Sequence, residues 1–141
     1  MNTQEAARRS RKRAGLILEE AHRFQEKGAW NLVVRRSQEA VELALKGTLR
    51  WIGLEVPRVH DVGIFFRRHR NRFPPGFARQ IPRLASISRA LSVERERSYY
   101  GEEESGLPPE MLYSEQDATE ALEKATFVLD ACQRLLEGGN T

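Results

Sequence analysis

The feature that most constrains the fold is an apolar stripe between residues 30 and 52. Apolar and small side chains recur there at steps of three and four residues, which places them along one face of an α-helix. The stripe consists of Trp30, Val33, Val34, Ser37, Val41, Ala44, Leu45, Thr48, Leu49 and Ile52. No segment of the chain alternates polar and apolar residues at every second position for long, so strands are not predicted. We therefore expect residues 30–52 to form the central core helix of an all-α protein.

Capping signals predict the first and last helices. Asn2 and Glu5 have the spacing of a capping box at the start of a helix that covers about residues 3–27. Ser114 and Asp117 have the same spacing before an apolar stripe of small residues near the C-terminus. The small residues of that last stripe favour close packing against a neighbouring helix.

Shorter helices are predicted in the middle of the chain. An amphipathic segment begins near Asp61, which is a candidate N-cap, and the sequence "FPPGF" at residues 73–77 breaks it. A further helix starts near Pro82 and ends near Tyr100, where a glycine follows. The short connections between helices favour antiparallel neighbours. The sequence therefore predicts an antiparallel up-and-down bundle of four to five helices.

The length of the chain fits a single domain over residues 1–141 with one core. No apolar run approaches the ~20 residues that a membrane span needs, and the first fifteen residues lack the apolar stretch of a signal peptide. The lone Cys132 has no second cysteine in the chain with which to form a disulfide. We expect a cytoplasmic protein that binds no membrane.

Charge is distributed unevenly along the chain. Residues 58–97 carry ten arginines against three acidic side chains, whereas residues 98–141 carry ten acidic side chains against two basic ones. This asymmetry has two interpretations. The basic segment attracts an anionic ligand or a nucleic acid, or the two segments are neighbours in the fold and neutralise each other.

The densest run of arginines is "FFRRHRNRF" at residues 65–73. Its basic side chains are Arg67, Arg68, Arg70 and Arg72, and its aromatic side chains are Phe65, Phe66 and Phe73. The guanidinium fork binds phosphate oxygens in pairs, and exposed rings stack on bases. The alternative is that the rings belong to the core while the arginines only solubilise the outer face.

A second run of interest is "RERSYYGEEE" at residues 95–104. Helical spacing puts Arg95 one turn from Tyr99 and turns Arg97 away from both, so one arginine is expected to face the bundle and the other solvent. The glutamates that follow are candidate partners for an arginine. We interpret the run as a helix end whose tyrosine pair anchors the loop, and whose arginine side meets a nucleotide or a partner protein.

His60 and Asp61 are adjacent, and a carboxylate beside a histidine is typical of a general base. Adjacent side chains at a helix start rarely point at one another, so the structural interpretation is a capping Asp61 with His60 on the loop. The three histidines and one cysteine do not have the spacing of a metal site. No Gly-rich phosphate loop is present, so no cofactor is predicted.

Three segments resemble the HEPN domain family. The first is "SQEAVELALKGTLRWIGLEVPRVHDV", the second "RERSYYGEE", and the third "PPEMLYSEQDATEALEKATFVLDACQRLL". The residues of the first segment that match the family pattern are Glu39, Ala40, Glu42, Leu45, Lys46, Pro57, His60 and Asp61, while Val62 replaces the usual leucine. The resemblance implies a bundle of about five helices, frequent dimers, and a role beside a minimal nucleotidyltransferase in prokaryotic two-gene modules.

One departure from the family bears on activity. HEPN ribonucleases carry an arginine followed, after four to six residues, by a histidine. None of His22, His60 or His69 has an arginine at that distance. The resemblance therefore implies a non-catalytic protein within a toxin–antitoxin-like pair. Two alternatives stay open: a metal-independent ribonuclease that acts as a homodimer through His60 with Arg95 or Arg97, and an RNA-binding bundle without catalysis.

These interpretations combine into one set of candidate residues. We predict no catalytic residue and no metal ligand. The residues predicted to bind a nucleotide or a partner are His60, Asp61, Arg67, Arg68, Arg95, Arg97, Tyr99 and Tyr100. The expected partners are a minimal nucleotidyltransferase, a nucleotide or RNA, and a second copy of the chain.

Overall fold

The computed structural model describes residues 2–56 and 58–138, and in that part the fold consists of helices joined by turns and loops, with one isolated bridge between Glu102 and Leu107. The helices are α1 Thr3–Glu26, α2 Trp30–Trp51, α3 Gly63–Arg68, α4 Pro75–Ala78, α5 Ile81–Ser92, α6 Glu94–Tyr100, α7 Pro109–Leu112 and α8 Glu115–Leu136, with a 3-10 turn at Arg70–Arg72. The all-α prediction is confirmed, and the helix count is somewhat above the predicted four to five. Pro57, which matched the family pattern, lies outside the described residues.

Both predicted end caps are present. The Asn2 side-chain oxygen accepts a hydrogen bond from the Glu5 backbone N–H at 2.8 Å. The Ser114 hydroxyl accepts from the Asp117 backbone N–H at 3.2 Å, and the Asp117 carboxylate accepts in return from the Ser114 N–H at 2.9 Å. These bonds satisfy backbone donors that the first turn of a helix leaves unpaired.

The long helix α2 lies at the centre, in contact with α1, α5, α6, α7 and α8. Gly47, near the end of α2, approaches Ser10, near the start of α1, so closely that a Cβ at residue 47 would lie 2.5 Å from the Ser10 Cβ. The Arg11 Nε donates to the Leu129 carbonyl at 2.9 Å, which joins the start of α1 to the end of α8. Both α2 and α8 therefore run antiparallel to α1.

The predicted core stripe of α2 is confirmed along most of its length. Its buried members are Val33, Val34, Ser37, Val41, Ala44, Leu45, Thr48 and Leu49. Cys132 of α8 is also fully buried, as predicted, and burial raises the pKa of its thiol to about 11. Among the described residues, no helix is long and apolar enough to cross a membrane.

One predicted helix was divided in two, and one predicted N-cap was wrong. The single helix expected from Pro82 to Tyr100 is interrupted at Val93, because α6 is held on α2 by bonds from side chains to its backbone. The Asn31 amide donates to the Ser98 carbonyl at 3.2 Å, and the Arg35 guanidinium donates to the Arg95 carbonyl.

The wrong N-cap is Asp61. Helix α3 begins near that residue, as predicted, but Asp61 is not its N-cap. Val62 occupies that position, and α3 begins at Gly63. The Asp61 carboxylate nevertheless accepts the first helical N–H, from Gly63, at 3.1 Å. The same oxygen accepts from the Ser88 hydroxyl at 3.0 Å, which ties the start of α3 to α5.

Candidate functional site

The most highly connected polar group of the molecule is the carboxylate of Glu42, on α2. Its side chain is only 13% exposed. Gln38 Nε2 donates to Glu42 Oε1 at 2.7 Å, and Lys46 Nζ donates to Glu42 Oε2 at 2.8 Å. Both donors lie one helical turn away on the same helix, so their spacing alone places them beside the carboxylate.

Two further side chains reach Glu42 from outside α2. His60 Nδ1 lies 3.0 Å from Glu42 Oε1, and an Arg95 terminal nitrogen lies 3.5 Å from the same oxygen. His60 comes from the loop before α3 and Arg95 from α6, so three separate segments meet at one oxygen atom. We call Gln38, Glu42, Lys46, His60 and Arg95 the Glu42 cluster.

Glu42 remains ionised over a wide pH range. Burial, the largest single influence, acts to raise the pKa of Glu42, but the hydrogen bonds from Lys46 and Gln38 and the charge of Lys46 outweigh it. The pKa therefore lies below its usual value. Because an ionised carboxylate only accepts hydrogen bonds, His60 donates its Nδ1–H to Glu42, and the Nε2 of that half-exposed ring takes no part in this contact.

The tyrosine pair lies beside this cluster. The Arg35 guanidinium sits over the Tyr99 ring at 5.4 Å from its centroid, and Arg35 Nε pairs with Glu39 at 3.0 Å. The Tyr99 and Tyr100 rings meet edge to face with their centroids 4.9 Å apart. Tyr99 is 55% exposed and Tyr100 is 75% exposed. The two rings therefore expose aromatic surface to solvent beside Arg35, which is held by its ion pair with Glu39.

The predicted division between Arg95 and Arg97 is confirmed. Arg95 turns toward α2 and the Glu42 cluster. Arg97 turns away and pairs with Glu94 at 3.5 Å and with Glu102 at 2.8 Å. Glu102, in the loop after α6, is one of the glutamates expected to supply such a partner.

Asp61 and Arg67 lie in a different place from the Glu42 cluster. Together with residues of α5 they line a groove of about 460 Å³ between α3 and α5. His60 is bonded to Glu42 and not to the adjacent Asp61, in agreement with the expectation that these two neighbours do not pair as a base and its carboxylate. The carboxylate that orients His60 comes instead from a residue 18 positions earlier in the chain.

The arginine run also differs from one of its two interpretations. Phe66 and Phe73 are buried, with Phe77, in an aromatic cluster whose centroids lie 4.9 to 6.1 Å apart. They are core residues and present no ring to a base, so for these two rings the structure supports the second interpretation, that the rings belong to the core. Arg67 and Arg68 are exposed, and within the described chain neither forms an ion pair with the Glu42 cluster.

Sequence reasoning predicted no binding role for four residues at or beside this site: Arg35, Gln38, Glu42 and Lys46. A signal for two of them was present, because Glu42 and Lys46 are four residues apart on a helix, and a buried glutamate requires donors. Sequence spacing did not predict that His60 and Arg95 reach Glu42 from distant segments. Over the residues that the structure describes, no group of His, Cys, Asp and Glu side chains is placed to hold a metal ion.

Exposed apolar side chains are concentrated near the same end of the molecule. Of eight exposed large hydrophobic residues in the described part, five lie between residues 93 and 111. We call these five the α6–α7 surface: Val93, Tyr99, Tyr100, Leu107 and Met111. Three of them line one open groove with Glu96, Glu102, Glu103 and Arg97. The groove therefore combines apolar side chains with three acidic side chains and one basic one.

Comparison with known proteins adds one finding. The chain matches the family model described as "HEPN domain" over residues 7–135, which is nearly its whole length. No curated protein and no solved structure matches the chain. The matched range includes the Glu42 cluster and α6.

Proposed function

The chain belongs to the HEPN domain family, and from that premise we propose that it is the non-catalytic member of a prokaryotic toxin–antitoxin-like pair. In this role it binds a minimal nucleotidyltransferase, a nucleotide, or both. The observation that carries the proposal is the α6–α7 surface, where five exposed hydrophobic side chains fall within residues 93–111. Contiguous exposed apolar groups are a signature of a protein–protein interface.

The composition of this surface fits a protein partner. Tyrosine is among the residues that contribute most to binding energy, because its ring covers a large area with few rotatable bonds. Tyr100, at 75% exposure, has the most aromatic area left to bury. Two of the glutamates that line the groove, Glu96 and Glu103, favour a partner whose facing surface is basic.

The neighbouring cluster supports the nucleotide part of the proposal. Arg95, His60 and Lys46 supply hydrogen-bond donors around one carboxylate, and Arg95 keeps part of its guanidinium exposed. Phosphate oxygens accept from such donors. Tyr99 adds a ring face beside Arg35, where a base stacks in the proposed complex.

Binding to a purified nucleotidyltransferase tests this function. The probe is the protein encoded by the gene adjacent to this one, and the measurement is isothermal titration calorimetry of the two purified chains. We expect Tyr100→Ala to weaken binding about 30-fold, the loss of roughly 2 kcal/mol typical of a central aromatic residue. Leu16→Ala is the matched control, because Leu16 is 52% exposed on α1, away from this surface.

Three outcomes contradict the proposal. The first is the absence of a nucleotidyltransferase gene beside this one. The second is that the two purified proteins do not bind. The third is that Tyr100→Ala and Leu16→Ala weaken binding equally, which would place the interface away from the α6–α7 surface.

One observation favours a second candidate function, a metal-independent ribonuclease. The structure brings His60 and Arg95 to the same oxygen of Glu42, although the family's ribonuclease spacing is missing from the sequence. In this reaction His60 Nε2 takes the proton of a ribose 2′-hydroxyl, whose oxygen attacks the adjacent phosphorus. The 5′-oxygen then leaves with a proton from water, and Arg95 stabilises the charge on the phosphate.

Incubation with total RNA in EDTA tests the ribonuclease separately from partner binding. If the chain is an enzyme, His60→Ala and Arg95→Ala each lower the cleavage rate at least 100-fold. Arg97→Ala is the control, since Arg97 lies on the same helix but pairs with Glu102 outside the cluster. A wild-type protein that leaves RNA intact, both as a monomer and as a homodimer, excludes this function.

A further inference from the structure

The arginines of residues 58–89 differ from those of α2 and α6. Residues 58–89 hold eight arginines and one acidic side chain, Asp61. In the described part of the chain, every arginine that forms an ion pair belongs to α2 or α6. Within the described structure, the eight arginines of residues 58–89 therefore form no ion pair with a carboxylate.

Two of these arginines lie on opposite sides of one groove. Arg67 of α3 and Arg89 of α5 both line the groove of about 460 Å³ between the two helices, and both are exposed. The helices approach closely because Gly63 has no side chain: a Cβ there would lie 2.9 Å from the Cβ of Ala85. The floor of the groove is therefore narrow, with one guanidinium on each helix.

The single carboxylate of the groove is already engaged. Asp61 Oδ1 accepts from the Gly63 N–H and from the Ser88 hydroxyl, at 3.1 and 3.0 Å. These bonds hold it at the junction of α3 and α5. Neither arginine forms an ion pair with Asp61 in the described structure. Both guanidinium groups can therefore bind an anion from solution.

We propose that this groove binds the phosphodiester backbone of a nucleic-acid duplex, with Arg67 and Arg89 contacting phosphates. Guanidinium groups bind phosphate oxygens, and such contacts do not depend on base sequence. A duplex is favoured over a single strand because Phe66, Phe73 and Phe77 are committed to the core and offer no stacking surface. This function goes beyond partner binding, since none of the five residues of the α6–α7 surface lines the groove.

Fluorescence anisotropy with labelled duplexes of about 20 base pairs tests the proposal, at salt concentrations from about 50 to 200 mM. The probes are an RNA duplex, a DNA duplex and a single-stranded RNA of the same length, and binding to vesicles that contain anionic lipid is measured separately. We expect both duplexes to bind more tightly than the single strand, with affinity falling steeply as salt rises. The double variant Arg67→Ala/Arg89→Ala lowers duplex affinity about tenfold and reduces the magnitude of the salt slope by about two.

The matched control removes the same charge elsewhere. Arg9 and Arg13 are exposed on α1 and form no ion pair in the described structure, so Arg9→Ala/Arg13→Ala changes the net charge equally. We expect this variant to keep the wild-type salt slope. Circular dichroism shows whether both double variants remain folded.

Four results would overturn the proposal. They are the absence of duplex binding, equal losses in the groove and control variants, tighter binding to the single strand, and binding only to vesicles that contain anionic lipid. The second result would mean a diffuse electrostatic attraction, and the last would assign the charge to a membrane surface.

Discussion

The molecule has two arginine-bearing regions that differ in what their guanidinium groups contact. On α2 and α6, Arg35 pairs with Glu39, Arg95 approaches Glu42 and Arg97 pairs with Glu102. Across residues 58–89 the arginines form no ion pair within the described chain. The difference shows that arginine content alone does not reveal function: carboxylates engage guanidinium groups of α2 and α6, whereas the contacts of residues 58–89 involve no carboxylate, as where Arg72 donates to the Ile52 carbonyl and Arg83 lies over the Phe127 ring.

The comparison also bears on the uneven charge of the sequence. Between the basic segment 58–97 and the acidic segment 98–138, Arg97 with Glu102 forms the one ion pair in the described structure. Neutralisation of one segment by the other through direct contacts is therefore slight. Most of the basic charge faces outward, as the first of the two interpretations requires.

The largest effect is expected from the core beneath the arginines. Phe66 is fully buried and stacks on Phe73 at 5.5 Å between centroids. Phe66→Ala should lower the free energy of unfolding by about 4 kcal/mol, because it removes a buried ring and leaves a cavity. Urea denaturation followed by circular dichroism measures this. A loss below about 1 kcal/mol would mean that residues 58–89 are not anchored through their aromatic side.

A smaller effect is expected at the Glu42 cluster. Glu42→Gln keeps the shape but removes the charge that Lys46, His60 and Arg95 face, so we expect a loss of about 2 kcal/mol at neutral pH in the same assay. Glu103→Gln is the matched control and should change stability by less than about 0.5 kcal/mol, because Glu103 is exposed. Equal losses in the two variants would contradict a special role for Glu42.

The pH dependence of that difference sharpens the result. The folded pKa of Glu42 is lowered, so its contribution is complete above the unfolded value of 4.5 and disappears as the pH falls through the folded pKa. The stability gap between wild type and Glu42→Gln should therefore shrink as the pH falls below 4.5. A gap that widens below pH 4.5 would mean that the folded pKa is raised.

The smallest effect is expected from the unpaired arginines themselves. Arg67→Ala/Arg89→Ala should change the free energy of unfolding by less than about 0.5 kcal/mol, because exposed side chains without partners contribute little to stability. Urea denaturation of the double variant and of wild type measures this change in the free energy of unfolding. A loss above about 2 kcal/mol would show that these side chains support the fold, which would erase the contrast with the Glu42 cluster.

Most of the fold could be predicted because its signals are local. The capping residues Asn2 and Ser114 and the apolar stripe of α2 depend on neighbours within a few turns, and all three are confirmed. The break at Val93 could not be predicted, since it depends on Asn31 and Arg35 reaching the backbone of α6 from a different helix.

The site was only partly predictable for the same reason. Sequence spacing correctly separated Arg95 from Arg97, because both lie on one helix. It did not place His60 on Glu42, because the two are joined through a loop whose path is set by tertiary packing. It also left the phenylalanines of the arginine run undecided, since a buried and an exposed ring have the same sequence signature.

Hydrogen–deuterium exchange of the whole chain tests the central claim, that the two regions serve different ligands. The chain is measured alone, with the nucleotidyltransferase from the adjacent gene, and with a nucleic-acid duplex of about 20 base pairs. We predict protection of residues 93–111 by the nucleotidyltransferase and of residues 61–89 by the duplex. Protection of the same segment by both ligands, or the reverse assignment, would contradict this account.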